Sequence, residues 1–256
     1  AIMRYYLKVL GKKIAGEDTP NSWKSIPDLL NLFPDVKVIQ VYRDPRAVLS
    51  SWKKASRHIT SHLGAIFNCK DNLDLCDFYR KSLPAANYLP VKYEDIVQNP
   101  EREVRNLCSF LEVNFEPLMI QPEKWNEIFD GVLIKRGRSS HIGEMKKGFD
   151  SSLIDAWKEF IDDWELCLCE WLLRDNLAEF NYESNKGEYD INTFLKGIEA
   201  LRSNPFLYKL FSGWLTLNQG SDSYLNDPRD PATWGDFHQT HKKFIETDDG
   251  KKYLKA

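Results

Sequence analysis

The sequence predicts an α/β fold, a parallel sheet flanked by helices and followed by a helix-rich carboxyl-terminal extension. Two apolar runs rich in β-branched and aromatic residues, residues 36–42 and 88–93, read as the strands. Each is followed within a few residues by a helix start, and the stretch between them is long enough for the crossover that parallel strands require.

Taken in order, residues 2–13 have helical spacing, and Gly16-Glu17-Asp18-Thr19-Pro20-Asn21 reads as a loop. Asn21 or Ser22 is the expected cap of a helix carrying Leu29, Leu30 and Leu32, which Pro34-Asp35 ends. After the first strand, Asp44 is the expected N-cap of the next helix, and Pro45 suits its first turn. Val48, Trp52, Ala55 and Ile59 recur at helical spacing and are expected to face the core, with Arg46, Ser50, Lys53 and Arg57 opposite. A further helix covers residues 71–80 and closes before Pro84. Beyond the second strand, Asn99-Pro100 opens a helix with an apolar stripe of Val104, Leu107, Cys108 and Leu111. Residues 123–148 are loop-rich and basic. Residues 152–180 read as strongly helical, with Trp157, Phe160, Trp164, Leu168, Trp171, Leu172 and Leu177 in the core. Ser184-Asn185-Lys186-Gly187 reads as a linker dividing a domain at 1–183 from a helical extension at 184–256. In that extension Phe194, Phe206, Leu207, Phe211, Trp214 and Leu217 are expected to pack on the main domain or to line an acceptor pocket.

A chain of 256 residues, 42% of them hydrophobic, can bury a core without disulfides or metal. A net charge of −3 gives no global basic field, which argues against nucleic acid or an anionic membrane as partner. Any anion site must therefore be local. The five cysteines, Cys69, Cys76, Cys108, Cys167 and Cys169, are an odd set without metal-site spacing. They are expected to be buried, reduced thiols of a cytoplasmic protein. No apolar run approaches the ~18 residues a membrane helix needs. No secretory leader is visible, and the chain opens on Ala1 inside a helical pattern.

The functional signal lies at the end of the first strand. Arg43 stands at its carboxyl end, Asp44-Pro45 opens a helix, and Ser51 follows on that helix. A fixed cation at a strand end, next to the free N–H groups of a helix start, makes an anion site, and a serine adds a directional donor.

Four segments together resemble the sulfotransferase family, which uses 3′-phosphoadenosine 5′-phosphosulfate (PAPS). The loop at Gly16-Glu17-Asp18-Thr19-Pro20 resembles the family's GDKTP turn. Arg43-Asp44-Pro45-Arg46, with Ser51, resembles its RDPRxxxxS segment. Val91-Lys92-Tyr93-Glu94-Asp95, running through Pro100 to Phe110-Leu111, is similar to its YEDL segment. Ser152 to Trp157-Lys158 is similar to the S-x-x-x-x-W-K/R stretch of its carboxyl-terminal helix. The resemblance covers roughly residues 12–183. It implies that Arg43 and Ser51 hold the 3′-phosphate and that Tyr93 lies near the adenine. It implies that Arg138, in a sequence similar to the RKGxxGxWK loop with Ser140 and Met145 departing from it, closes over the phosphate. It also implies sulfuryl transfer to a hydroxyl or amine of a small-molecule or carbohydrate acceptor, with no metal.

Two departures accompany it. The family's PKSGT-like 5′-phosphosulfate turn is not among these residues and is expected upstream. Asp18 stands where the family has lysine. Neither leaves a catalytic base assigned, and a non-catalytic nucleotide-binding module derived from the family is the rival reading. A small-molecule kinase of the same fold class would need a Walker lysine and a magnesium ligand, and neither is identifiable. At single residues the alternatives are an Arg43 paired with Asp44 or Glu94, a Ser51 packed beside the core, and a Tyr93 that is only an inward aromatic. Residues 135–147 are alternatively a solvated loop, Glu17 and Asp18 turn caps, and His58, His62 and His141 surface histidines rather than bases.

Overall fold

The structure is a computed structural model that describes residues 8–9, 11, 13–18, 22–55, 62–124, 149–184 and 190–220. A 3-10 turn at Ser22–Ser25 leads into helix α1 (Ile26–Leu32) and strand β1 (Val38–Tyr42). Helices α2 (Pro45–Ala55) and α3 (Gly64–Ser82) form the crossover to strand β2 (Tyr88–Lys92), which runs directly into α4 (Tyr93–Gln98) and α5 (Pro100–Leu111). The later part holds 3-10 turns at Ser151–Leu153 and Ala156–Glu159, then α6 (Asp163–Leu172), α7 (Arg174–Glu179), α8 (Ile191–Ser203) and α9 (Pro205–Leu217).

The described residues form one parallel sheet of two strands, in register from Val38↔Tyr88 to Tyr42↔Lys92. Two strands alone are marginal in water and need a helix against one face. Here α3 supplies it, packing on both strands. Gln40, buried in β1, donates to the carbonyl and side chain of Asn72 on α3 and accepts from the Tyr88 hydroxyl at 2.8 Å. The Ile39, Val41 side of β1 is more open, with Val41 49% exposed.

Helix α3 is the centre of the molecule and is buried nearly all round, which is the mark of a core helix. It begins at Gly64, seven residues earlier than the sequence predicts, because uniform burial removes the amphipathic rhythm that marks a helix start. The main core joins Leu49 of α2, Ile66, Phe67 and Leu73 of α3, Leu168 and Leu172 of α6, and Leu201, Leu207, Leu210 and Phe211 of α8 and α9. Phe206 and Leu217 of the same tail are exposed instead.

Three further expectations are corrected. Residues 152–180 are not one helix. Asp150 and Asp162 each turn their side chain onto a downstream backbone N–H, and the Asp162–Glu165 capping box starts α6 afresh. Phe160 and Trp171 are consequently exposed rather than core. The buried face of helix α2 is wider than expected and is shifted: Val48 packs on the core as expected, but Arg46, Ala47, Leu49 and Ser50 are buried too, while Trp52 is 39% exposed. A buried arginine lies behind that shift.

Candidate anion-binding site

Val41 pairs with Val91 and Tyr42 with Lys92, so Arg43 and Tyr93 each follow directly on the last paired residue of their strand and leave the sheet at the same end. The guanidinium of Arg43 lies over the Tyr93 ring, 4.3 Å from its centroid. Such a stack contributes about 0.5–2 kcal/mol and fixes the plane of the fork. One Arg43 Nη2 N–H reaches the Leu153 carbonyl at 3.3 Å, a long bond from a turn 110 residues away in sequence. The Arg43 Nε is buried and has no hydrogen-bond partner, and among the described residues no carboxylate pairs with Arg43.

Arg46, three residues on, is the opposite case. Its Nε and Nη2 form a fork onto Asp44 at 3.0 and 2.8 Å, and its Nη1 donates to Glu170 Oε1 at 2.8 Å and to the Glu183 carbonyl at 2.7 Å. It is 4% exposed and stacks on Trp157 at 4.4 Å. Burial alone would depress its pKa, but the bonds to Asp44 and Glu170 outweigh that and raise it. Asp44 caps α2 through the Arg46 backbone N–H at 2.9 Å, as its position predicts.

The Asp44 N–H donates to Glu94 Oε1 at 2.9 Å, and Glu94 Oε2 accepts from the Tyr182 hydroxyl at 3.0 Å. Burial first, and then the Glu94 charge, drive the Tyr182 pKa upward, so Tyr182 stays a donor. Both carboxylates that were alternatives for Arg43 are thus held by other groups. Beneath the site, the thiol of Cys69 on α3 is pushed up to about 12 by burial and by Asp44, with Arg43 opposing.

Ser51 lies in the second turn of α2, about 9 Å along the axis from Pro45. It is half-buried, and its hydroxyl forms no hydrogen bond among the described residues. Arg43 and Tyr93 are therefore in contact, and Ser51 stands on the helix that follows Arg43. Arg138, His58 and His141 lie outside the described residues. His62 is 6% exposed and meets Glu165 at 2.6 Å, so it is a core histidine and not a surface one. Glu17 and Asp18 are exposed in their loop.

Two grooves open elsewhere. One of about 560 Å³ lies beside Asp44 and Glu94, with Arg46, Lys92, Trp157 and Tyr182 in its wall. Another of about 680 Å³ lies beside Trp171, Phe180 and Trp214. Arg43, Ser51 and Tyr93 line neither. Among the described residues no group of three or more His, Cys, Asp or Glu is placed to hold a metal, and no helix is long and apolar enough to cross a membrane. Sequence reasoning missed the Arg46 hub and the Glu94–Tyr182 pair. The adjacent Asp44 cap was the available signal for the first. The second joins positions 88 residues apart, with no local signal.

The fold is that of an α/β protein, with an arginine stacked on a tyrosine ring and carrying a partnerless Nε at the carboxyl end of a parallel sheet. Residues 2–117 match the model of the Sulfotransferase family, a span that contains Arg43, Ser51 and Tyr93. Protein-tyrosine sulfotransferase 1 of Danio rerio is 33% identical over 57% of this chain and 40% of its own length. Two nematode relatives, from Caenorhabditis briggsae and Caenorhabditis elegans, are 24% and 21% identical, each over 66% of this chain and over 60% and 65% of their own lengths. The chain thus spans between 40% and 65% of the length of these relatives. Among solved structures, the sulfotransferase domain from the Synechococcus PCC 7002 olefin synthase superposes with a TM-score of 0.55. It has 22% identity and covers 71% of this chain and 63% of its own. The sulfotransferase domain from the curacin biosynthetic pathway gives 0.54 at 20% identity, covering 72% and 69%. Over residues 2–117 the chain is similar to the sulfotransferase family, and its fold is that of the two sulfotransferase domains.

Proposed function

We propose that this chain holds the 3′-phosphoadenosine end of PAPS and belongs to an enzyme that transfers the sulfuryl group to a hydroxyl acceptor. The observation that carries this reading is the contrast between two arginines three residues apart. Arg46 has its donors spent on Asp44, Glu170 and a backbone carbonyl. Arg43 has one long bond and a buried Nε without a partner. An orphaned guanidinium donor suits a phosphomonoester, whose oxygens accept paired, charge-assisted hydrogen bonds.

In this reading Arg43 binds the 3′-phosphate and Tyr93 holds the plane of its fork. The Ser51 hydroxyl adds a donor, and Arg138 supplies a second cation. The nucleotide, when bound, supplies an activated sulfuryl group on a phosphate leaving group. The names of the relatives make the phenolic hydroxyl of a protein tyrosine the first acceptor to test, ahead of small-molecule and carbohydrate hydroxyls.

The test is transfer of labelled sulfate from PAPS to a tyrosine-containing peptide, beside a simple phenol and a monosaccharide. Transfer that rises with chain concentration and drops with Arg43→Ala supports the reading. Nucleotide binding without transfer to any of these acceptors favours the non-catalytic module. Absence of both binding and transfer overturns the proposal.

A further inference from the structure

We infer that Arg46 is a positioning residue that keeps the anion site open by holding Asp44 away from Arg43. The inference rests on the reading of Arg43 as the phosphate-binding arginine. Asp44 is the next residue in the chain, and a carboxylate beside a guanidinium forms the same forked pair that a phosphate would. An Asp44 free to pair would fill the site with the protein's own anion.

The structure spends several groups on preventing this. Both Asp44 oxygens are taken by the Arg46 fork, and Oδ1 also accepts the Arg46 backbone N–H. The Asp44 backbone is anchored in turn, through its N–H, to Glu94. Arg46 is itself fixed from the far side of the core by Glu170 on α6, by the Glu183 carbonyl and by Trp157. These partners lie 124 and 137 residues further along the chain, so the carboxyl-terminal segment sets the state of the site at residue 43. Asp44 and Arg43 both act on the buried Cys69 thiol, with opposite sign. An unclamped Asp44 therefore competes with a bound anion by contact or through its field.

Simple removal of Arg46 leaves two buried carboxylates unpaired and risks the fold. The informative pair is Arg46→Met with Glu170→Gln, and the same double variant with Asp44→Asn added. The two proteins differ by one charge. Each is checked by thermal melting and titrated calorimetrically with 3′-phosphoadenosine 5′-phosphate, beside the unaltered chain and Arg43→Ala. The double variant is expected to bind about tenfold or more weakly, the loss that goes with one forfeited charge-assisted bond. The triple variant is expected to recover to within about threefold of the unaltered chain, since the competing charge is gone.

Equal binding by the double variant and the unaltered chain overturns the inference. So does a triple variant as weak as the double one, because loss of packing on Trp157 would weaken both alike. If the double variant does not fold, Arg46→Lys, with and without Asp44→Asn, gives the same comparison, since lysine keeps a charge for Glu170 but cannot form the fork. If Arg43→Ala binds as tightly as the unaltered chain, the site reading itself falls and takes the inference with it. If Arg43→Ala loses binding and Asp44→Asn restores nothing, the inference alone falls.

Discussion

Ending the chain at Ser184 removes α8 and α9, and with them Leu201, Leu207, Leu210 and Phe211, all buried in the main core. Full burial of such a side chain contributes about 1.5–3 kcal/mol, so the four together are worth roughly 6–12 kcal/mol. The cut also bares Leu168 on α6, where Gly197 of α8 packs, and the face of α3 on which α9 packs. A domain is stable by only about 5–15 kcal/mol, so the loss is of the order of the whole. The truncated chain is expected in the insoluble fraction, or soluble without near-ultraviolet circular dichroism and without a cooperative melt. The full chain is expected to melt in one transition. Leu215→Ser is the control: Leu215 is on α9 but 59% exposed, and its replacement should cost less than about 0.5 kcal/mol. A soluble truncated chain that melts cooperatively within about 5 °C of the full chain would refute this account of the core.

Other expectations follow from single contacts. Glu165 is 1% exposed; burial pushes its pKa up, but hydrogen bonds from His62, Lys53 and the Asp162 N–H outweigh that and lower it below the ordinary 4.5. A lowered folded pKa gives stability that is present above the ordinary value and is lost as pH falls through the folded one. Melting temperature should therefore drop on acidification below pH 4.5, and Glu165→Gln should flatten that slope while lowering stability at neutral pH by about 1–3 kcal/mol. An unchanged acid slope in the variant would contradict this. A methyl group on Gly197 of α8 would sit 3.1 Å from Leu168 Cβ. Gly197→Ala should cost about 1–3 kcal/mol and Leu168→Ala about 2–5 kcal/mol, and urea titrations of the double variant should show less than the sum. All five cysteines are buried and unpaired, and burial pushes Cys69 up to about 12 and Cys76 up to about 11. Maleimide at neutral pH should label the native protein slowly and the urea-unfolded protein at all five sites by mass spectrometry.

The two strands and the strand-to-helix junction at Arg43-Asp44 were legible because their signals are local. A β-branched run marks a strand, and a cation followed by Asp-Pro marks a strand-to-helix junction. The tail helices announce themselves through Asp190 and Asn204, whose side chains cap α8 and α9. What failed was whatever depends on distant partners. Arg46 counts as polar in any helical periodicity, so the apolar rhythm of α2 finds Val48 but misses the burial of Ser50 and of Arg46 itself. Only Glu170 and the Glu183 carbonyl make its burial possible, and no local pattern announces them. Residues 152–180 kept helical spacing across their breaks, and the capping aspartates outweighed the apolar rhythm. The Glu94–Tyr182 pair and the Leu153 carbonyl reach the site across long separations for the same reason.

The central claim is that Arg43 is held open for a 3′-phosphate. Calorimetric titration with two ligands tests it directly: 3′-phosphoadenosine 5′-phosphate, and adenosine 5′-phosphate, which lacks only that group. The account predicts that Arg43→Ala weakens the first by about 10- to 100-fold, the worth of one or two charge-assisted bonds, and leaves the second unchanged. Equal loss for both ligands, or no loss for either, would contradict it.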